Sequence, residues 1–232
     1  MAFNIIMAKG DIPNPQIVPP AIVVAKAGDP QALGVTIPII KIDLTGVSFK
    51  QRAGATGPEF SFDFGTMTIT LRQEIYLATD LTACELRKWG SHERGHVDDN
   101  RKAMDDLQAE FMQYGTIKDV FVNGVWYPRT DFSMVQRFIQ DEIGDAYREL
   151  TAVAAAKHDS ITEYRRVARE ILRDCPEPIM YTIQRGDTLS GIALHYYGVA
   201  SKWTEIHTAN LVEIGPNANL IITGRKIRIP KI

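Results

Sequence analysis

The chain has 232 residues, a length that exceeds one average domain and predicts a medium domain followed by a small one. Hydrophobic residues make up 45% of it and charged residues 23%, as in ordinary globular proteins. The formal net charge of −2 excludes broad electrostatic attraction to nucleic acid or anionic membranes, and no apolar run is long enough to insert into a bilayer.

The N-terminal sequence and the cysteines bear on where the protein works. The first residues lack the basic segment and the long apolar run of a signal peptide. We therefore expect synthesis in the cytoplasm and, for work elsewhere, a route other than a cleaved signal. Cys84 and Cys175 lie far apart in sequence and define no disulfide framework, so two reduced, partly buried thiols are expected.

Residues 1–55 are predicted to be an extended, proline-rich segment. β-type runs cover residues 17–18, 21–25 and 35–44, with prolines among them. Because proline cannot donate to a sheet ladder, these runs favour edge strands and extended arms over a central sheet.

A β-hairpin and a long helix are predicted next. Residues 60–64 and 67–78 alternate between apolar and polar side chains, and Gly65–Thr66 marks the turn between them. Asp80 is the predicted N-cap of a helix over residues 81–113.

A second hairpin and two further helices follow in the sequence. Asn123–Gly124 predicts the hairpin turn. One helix is predicted to end near His158, and a capping box of Ser160 and Glu163 predicts the start of another over residues 161–174.

A His-Glu-x-x-His pattern lies inside the long predicted helix. His92 and His96 are one helical turn apart, so both imidazoles can reach one metal ion. Glu93 lies beside them, where it can act as the general base for water at a zinc ion. The pattern therefore predicts a zinc-dependent hydrolytic site. The alternatives are two histidines hydrogen-bonded in a core, or a decayed site that serves as scaffold.

The pattern and its surroundings resemble the zincin metallopeptidases. Residues 75–78 and 86–97 are similar to a family of bacterial zinc-dependent proteases, and the similarity extends over about residues 60–170. The resemblance implies a zinc ion, peptide hydrolysis and a preceding hairpin that aligns the substrate. The family ends in a Tyr-Asp…Thr-x-His element, whereas this chain has Tyr164-Arg165, with Glu170 at the place of the histidine.

A catalytic zinc ion needs three protein ligands, and four residues are candidates for the third. Glu142 is the first choice, because it lies on the apolar stripe of a predicted helix, where an unpaired carboxylate is costly to bury. Glu170 fits the offset of the protease family, and His158 is a suitable ligand type at a helix end. Asp99 lies one turn beyond His96, where it better suits orienting that imidazole.

The C-terminal segment predicts a strand, two helices and a final strand. A short alternating strand begins at Tyr181, and Asp187 is the predicted N-cap of a helix that ends at Gly198. A second helix over residues 201–210 and a strand over residues 226–229 complete the segment.

Many residues of this segment match, in the same order and at the same spacing, the residues typical of one protein family. They are Tyr181–Thr182, Gly186–Leu189, Ile192–Ala193, Gly198, Trp203, Ala209–Asn210, Asn219, Gly224 and Ile229–Pro230. The segment resembles the LysM family, whose modules typically bind N-acetylglucosamine glycans such as peptidoglycan or chitin. The implied site is a shallow groove between two loops, formed by Gly186, Asp187, Thr188 and Leu189 with Asn219, Leu220 and Ile221.

The module is also similar to LysM modules of phage tails and contractile injection systems. The similarity lies in its Tyr-Tyr-Gly…Ser-Lys-Trp sequence and in Ile214-Gly-Pro-Asn217. In such particles the module can act as a protein–protein adaptor, which implies tail or baseplate proteins as partners.

The sequence predicts an α+β protein. A zincin-like domain of β-hairpins and about three helices is expected over residues 56–175, a linker over 176–180 and a βααβ LysM module over 181–231. The predicted function is a zinc-dependent, metallopeptidase-like hydrolase that the module targets to peptidoglycan. The alternative is a structural component of a phage tail or injection baseplate, with a structural or vestigial metal site. Action is expected at the cell wall or within a phage-like particle.

Overall fold

The computed structural model describes residues 4–29, 32–110, 113, 119, 123–128 and 132–232. Its mixture of helices and strands confirms the predicted α+β class. The chain forms two compact units: residues 1–13, 37–74 and 96–155 make up the first, and residues 14–36, 75–95 and 156–232 the second. The predicted domain boundaries stay predictions. Within the described residues, no helix combines the length and apolarity needed to cross a membrane.

Strand β4 (Gly57–Ala78) organises the sheet of the first unit. β1 (Asn4–Ala8) pairs with it in parallel, and β5 (Tyr127–Pro128) pairs with it in antiparallel orientation. β3 (Gly34–Gly54) precedes β4 and also pairs with it.

The predicted turn at Gly65–Thr66 is wrong, because β4 runs through it without a break. Asn4 of β1 lies opposite Thr66, so a parallel neighbour holds this stretch in the sheet. The chain reverses instead at Ala55–Thr56, just before Gly57, whose φ of 138° suits glycine.

The predicted turn at Asn123–Gly124 lies at the edge of a described segment. Gly124 has a φ of 62°, as such a turn requires, and the strand that follows pairs with β4. Residues 120–122, the predicted first strand of this hairpin, lie outside the described residues.

Among the described residues, three long helices follow β4 in sequence. They are α2 (Ala83–Glu110), α3 (Phe132–His158) and α4 (Ile161–Asp174). The last two confirm the predicted ends at His158 and Asp174. The core of the first unit forms where α2 and α3 pack on β4, and its buried residues are Phe62, Met67, Ile69, Leu71, Ala103, Met104, Leu107, Ile143, Ala146 and Tyr147.

The helix caps confirm one prediction and correct another. The Ser160 hydroxyl accepts a hydrogen bond from the Glu163 backbone N–H at 3.2 Å, which confirms the predicted capping box. Asp80 is not the N-cap of α2. Thr82 and Glu85 form a reciprocal capping box there, with N···O distances of 3.3 and 2.8 Å.

The predicted β-type run at residues 21–25 is helical. Helix α1 (Pro20–Ala27) begins with a proline, which suits the first helical position because no partner for its missing N–H is needed there. Gly28, with a φ of 72°, ends the helix in the left-handed conformation. Before it, β2 (Gln16–Val18) pairs in parallel with the end of β4, within the second unit.

The expectation of two reduced thiols is wrong. Cys84, in the first turn of α2, and Cys175, directly after α4, form a disulfide with an S–S distance of 2.02 Å. Both residues are buried. The bond joins positions 91 residues apart, and sequence spacing alone does not report such spatial proximity.

The C-terminal part of the second unit confirms the predicted order of strand, helices and strand. β6 (Ile179–Thr182) and β7 (Lys226–Ile229) pair in antiparallel orientation. Between them in sequence lie α5 (Leu189–Tyr197), α6 (Trp203–Ala209) and the short α7 (Leu211–Ile214).

One buried amide joins these elements. Asn210 is 2% exposed and lies between α6 and α7. Its side chain donates to the carbonyls of Ile206 and Arg228 and accepts from the Arg228 N–H, each at 2.7 Å. Because buried polar groups need such partners, Asn210 fixes β7 against the helices.

Candidate metal centre and glycan-binding module

Two histidines and one aspartate form the candidate metal centre. A ring nitrogen of His92 lies within 4.8 Å of a ring nitrogen of His96, one turn further along α2, and of a carboxylate oxygen of Asp159. His92 is buried, His96 is partly buried and Asp159 is exposed. Two imidazoles and one carboxylate are a donor set that catalytic zinc uses, with a coordination position left for water. The residues present therefore fit a zinc ion.

The position of Asp159 explains how a residue outside α2 joins the group. Asp159 stands in the short break between α3 and α4. The capping box at Ser160 fixes where α4 begins, so the chain direction at Asp159 is also fixed.

Glu93 is held beside the ligand group. It is 3% exposed, and its carboxylate accepts a hydrogen bond from the Thr36 hydroxyl at 2.7 Å. A Cβ added to Gly34 would lie only 2.7 Å from the other carboxylate oxygen. A carboxylate in this place, next to the ligands but not among them, can serve as a general base.

Aromatic rings surround His92 within the second unit. The ring centroids of Tyr164, Trp89 and His158 lie 5.4, 5.8 and 5.9 Å from that of His92. Burial raises the pKa of Tyr164, and the negative charges of Asp159 and other carboxylates add to the shift. The neutral phenol also hydrogen-bonds to Asp159. Contacts of this kind, made by residues outside the ligand group, orient the His92 ring and the Asp159 carboxylate.

A cavity of about 200 Å³ opens beside His92. Residues of α2 and α4 and one from the end of α3 line it: Lys88, Ser91, His92, Gly95, His158, Glu163, Arg166, Val167 and Glu170. Its charges are paired. Arg166 donates to Glu163 at 2.8 Å and also bonds Glu170, while Lys88 donates to Asp174 at 2.6 Å.

These ion pairs set the electrostatics of the cavity. Hydrogen bonds from Arg166 lower the pKa of Glu163 more than its burial raises it. Glu163 therefore stays ionised, and the lining carries both signs of charge.

The four candidates predicted for the third ligand are not members of this group. Within the described part of the chain, the group that could hold a metal ion contains Asp159 and not Glu142, Glu170, His158 or Asp99. Glu142 lies in α3, and its charge adds to the burial that raises the pKa of Tyr127. Glu170 and His158 line the cavity.

Sequence reasoning missed Asp159, Thr36 and Gly34. Asp159 had a usable signal, since it follows a histidine at the break between two predicted helices. Gly34 and Thr36 are two residues apart and so share one face of a strand, but no local pattern says which helix that face meets.

The first loop of the predicted glycan site is held by Asp187. Its carboxylate accepts hydrogen bonds from the Tyr181 hydroxyl and the Gln184 N–H, both at 2.7 Å. Thr188, not the predicted Asp187, is the N-cap of α5 and accepts from the Gly191 N–H at 3.0 Å. Asp187 shapes the loop, in which the neighbouring Gly186 has a φ of 91°.

The side chains of the predicted glycan site differ in exposure. Leu189 is 4% exposed and packs in the core of the module, so its side chain is not available to a ligand. Leu220 is 65% exposed, Asn219 is exposed and Ile221 is partly buried.

Backbone hydrogen bonds join the two predicted loops at their base. The Gly224 N–H donates to the Ile183 carbonyl at 2.8 Å, and the Ile183 N–H donates to the Arg225 carbonyl at 2.9 Å. Both loops therefore emerge side by side from the β6–β7 pair.

Comparison with known families decides the identity of this module, because residues 181–230 match the LysM domain. This segment is a LysM domain. LysM domains bind peptidoglycan and other N-acetylglucosamine glycans, so the LysM domain here implies peptidoglycan binding and association with the cell wall.

The chain is also similar to a protein of which it covers only a part. A protein of Deinococcus radiodurans, described as uncharacterized, is 39% identical over 66 residues. The aligned segment covers 27% of this chain and 25% of the relative, so the chain spans about a quarter of the relative's length. No solved structure matches the chain significantly.

Proposed function

We propose that the protein is a zinc-dependent hydrolase that cleaves peptide bonds of peptidoglycan, to which its LysM domain directs it. The observation that carries the proposal is the group of His92, His96 and Asp159 on and near α2, with the buried carboxylate of Glu93 beside it. Asp159 replaces Glu142 as the proposed third ligand.

The proposed chemistry divides between a zinc ion and one side chain. A zinc ion held by the three residues would supply Lewis-acid chemistry, which lowers the pKa of a water molecule and polarises a carbonyl group. Glu93 accepts the proton of the attacking water at its carboxylate and later gives it to the departing amine. His92 and His96 serve as the nitrogen ligands, because imidazole binds zinc in its neutral form.

Two features support a peptide substrate. The cavity beside His92 is large enough for a side chain of the substrate, and its paired charges suit a polar one. The first residues of β3 lie against Glu93, and a strand can align an extended peptide through main-chain hydrogen bonds.

Two features support action at the cell wall. The LysM domain raises the local concentration of wall peptides without adding catalytic groups. The Cys84–Cys175 disulfide belongs to the kind of bond that persists in oxidising compartments. The alternative function, as an adaptor in a phage tail or injection baseplate, stays a prediction.

The experiment combines metal analysis with hydrolysis. Purified full-length protein is stripped of metal, titrated with Zn²⁺ and incubated with a soluble cross-linked muropeptide. We expect one zinc ion per chain and peptide cleavage that depends on it. Glu93→Gln is expected to bind zinc as the wild type does and to lose cleavage. Absence of stoichiometric zinc from the wild type defeats the proposal, and full cleavage by Glu93→Gln removes the proposed base.

A further inference from the structure

The first residues of β3 meet α2 at Glu93. Gly34 and Thr36 are two positions apart in the strand, so both point to the same face, and both lie against this carboxylate. The Thr36 hydroxyl oxygen lies 2.7 Å from one carboxylate oxygen of Glu93 and 3.0 Å from its backbone carbonyl oxygen. A hydroxyl has one proton, and the shorter distance and the negative charge favour its donation to the carboxylate.

Gly34 provides the space for this arrangement. A Cβ at this position would lie 2.7 Å from a Glu93 carboxylate oxygen and 2.8 Å from a methyl carbon of Leu77. Any larger residue at position 34 therefore has to displace the Glu93 side chain or its neighbour. The strand thus brings a glycine to one carboxylate oxygen and a hydroxyl to the other.

We propose that Thr36 is a positioning residue that holds the Glu93 carboxylate in the orientation needed for proton transfer. This inference rests on the proposed function, in which Glu93 is the general base. A glutamate carboxylate turns about several single bonds, whereas a general base has to stay within about 3 Å of the proton it accepts. Glu93 is 3% exposed, so bulk water does little to hold its carboxylate, and the Thr36 hydroxyl donates a hydrogen bond to it.

Thr36 contacts the Glu93 carboxylate through its hydroxyl. Substitutions that remove or keep the hydroxyl therefore distinguish a positioning role from a purely structural one. If Thr36 only filled space between β3 and α2, valine would replace it without loss, because valine has the same shape. If the hydroxyl positions Glu93, serine retains the function and valine loses it.

The test uses the zinc-loaded full-length chain and the soluble cross-linked muropeptide. We expect Thr36→Val to lower kcat by about 10- to 100-fold, the scale set by small misplacements of a catalytic group, with KM and zinc stoichiometry unchanged. Thr36→Ser is expected to retain most of the wild-type kcat. A Thr36→Val variant with wild-type kcat, or equal losses in both variants, overturns the positioning role.

A second readout does not depend on activity. The urea midpoints of unfolding are compared for Thr36→Val, Glu93→Met, which removes the acceptor, and the double variant, all without metal. If the two side chains interact as inferred, the two single shifts do not add in the double variant. Additive shifts overturn the inference.

Failure of the proposed function can be distinguished from failure of the positioning role. A wild type that binds no zinc and cleaves no muropeptide defeats the proposed function and the positioning role with it. An active wild type whose Thr36→Val variant is equally active defeats the positioning role alone.

Discussion

The imidazole of His158 lies against the backbone of Gly95, so that a Cβ added to Gly95 would come within 2.6 Å of the ring nitrogen Nε2. A glycine inside a helix costs about 1 kcal/mol relative to alanine, and this close contact gives a reason for its presence in α2. His158 is the last residue of α3, and Asp159 follows it directly. The missing side chain at Gly95 therefore allows the end of α3, and Asp159 directly after it, to lie close to α2.

We expect Gly95→Ala to weaken zinc binding about 10- to 100-fold, because the added methyl group displaces His158 and with it the proposed ligand Asp159. Its free energy of unfolding should change by about 1 kcal/mol at most, since alanine favours the helix. Competition with a chromogenic chelator measures the affinity. Gly90→Ala is the matched control in the same helix, because its Cβ meets only a Leu77 methyl carbon at an ordinary 3.5 Å. Equal zinc affinities of the two variants would contradict the prediction.

The Cys84–Cys175 disulfide joins the first turn of α2 to the end of α4, the two helices that line the cavity. Closing a chain segment of 91 residues restricts the unfolded state, so we expect the double Cys→Ala variant to lose about 3–5 kcal/mol in its free energy of unfolding. Urea denaturation measures this loss. A reductant should destabilise the wild type and leave the double variant unchanged. Complete alkylation of both cysteines in native protein without reductant would show that no disulfide forms.

A substitution of Leu220 tests where the LysM domain binds its glycan. Its side chain is 65% exposed in the second loop, where a bound sugar can cover it. We expect Leu220→Ser to weaken binding to insoluble peptidoglycan roughly tenfold, because contact with apolar surface is lost. Val212→Ser is the control, since Val212 is 93% exposed and lies outside both loops. Equal weakening in both variants would place the glycan elsewhere on the domain.

Local patterns in the sequence predicted the helices of the site well. The capping box of Ser160 and Glu163 marked the start of α4, and the one-turn spacing of His92 and His96 predicted that their rings lie close together, where the structure places them. These features depend on residues close in sequence, which the periodicity of a helix relates directly.

Contacts between distant residues could not be predicted in this way. Thr36 and Glu93 are 57 residues apart, and the two cysteines 91. No helical or strand period relates such positions, so the sequence gives their chemistry but not their proximity. Glu142 shows the same limit: an ionisable residue on an apolar stripe has to find some partner, and the stripe does not say which one.

The identity of the third ligand is directly testable. We expect Asp159→Asn to weaken zinc binding strongly, because an amide replaces the anionic ligand, and Glu142→Gln to leave the affinity unchanged. The two substitutions are matched in chemistry, since each exchanges one carboxylate for an amide. Calorimetric titration of the metal-free proteins with Zn²⁺ measures both. The opposite order of affinities would restore Glu142 as the ligand.

We expect the thermal stability of the LysM domain to depend on pH because of His195. Its ring packs edge-on against Tyr196, with centroids 4.7 Å apart, and burial, aided by the positive charge of Arg165, lowers its pKa from the usual 6.5. The folded state therefore binds fewer protons than the unfolded state near this pH. The neutral ring of His195 contributes fully to the free energy of unfolding above pH 6.5, and this contribution is lost as the pH falls through the lowered pKa. We expect the advantage in Tm of the wild type over His195→Gln to shrink between about pH 8 and about pH 5. Calorimetric scans of both proteins across this range measure it, and a difference in Tm that stays constant with pH would exclude His195 as the titrating group.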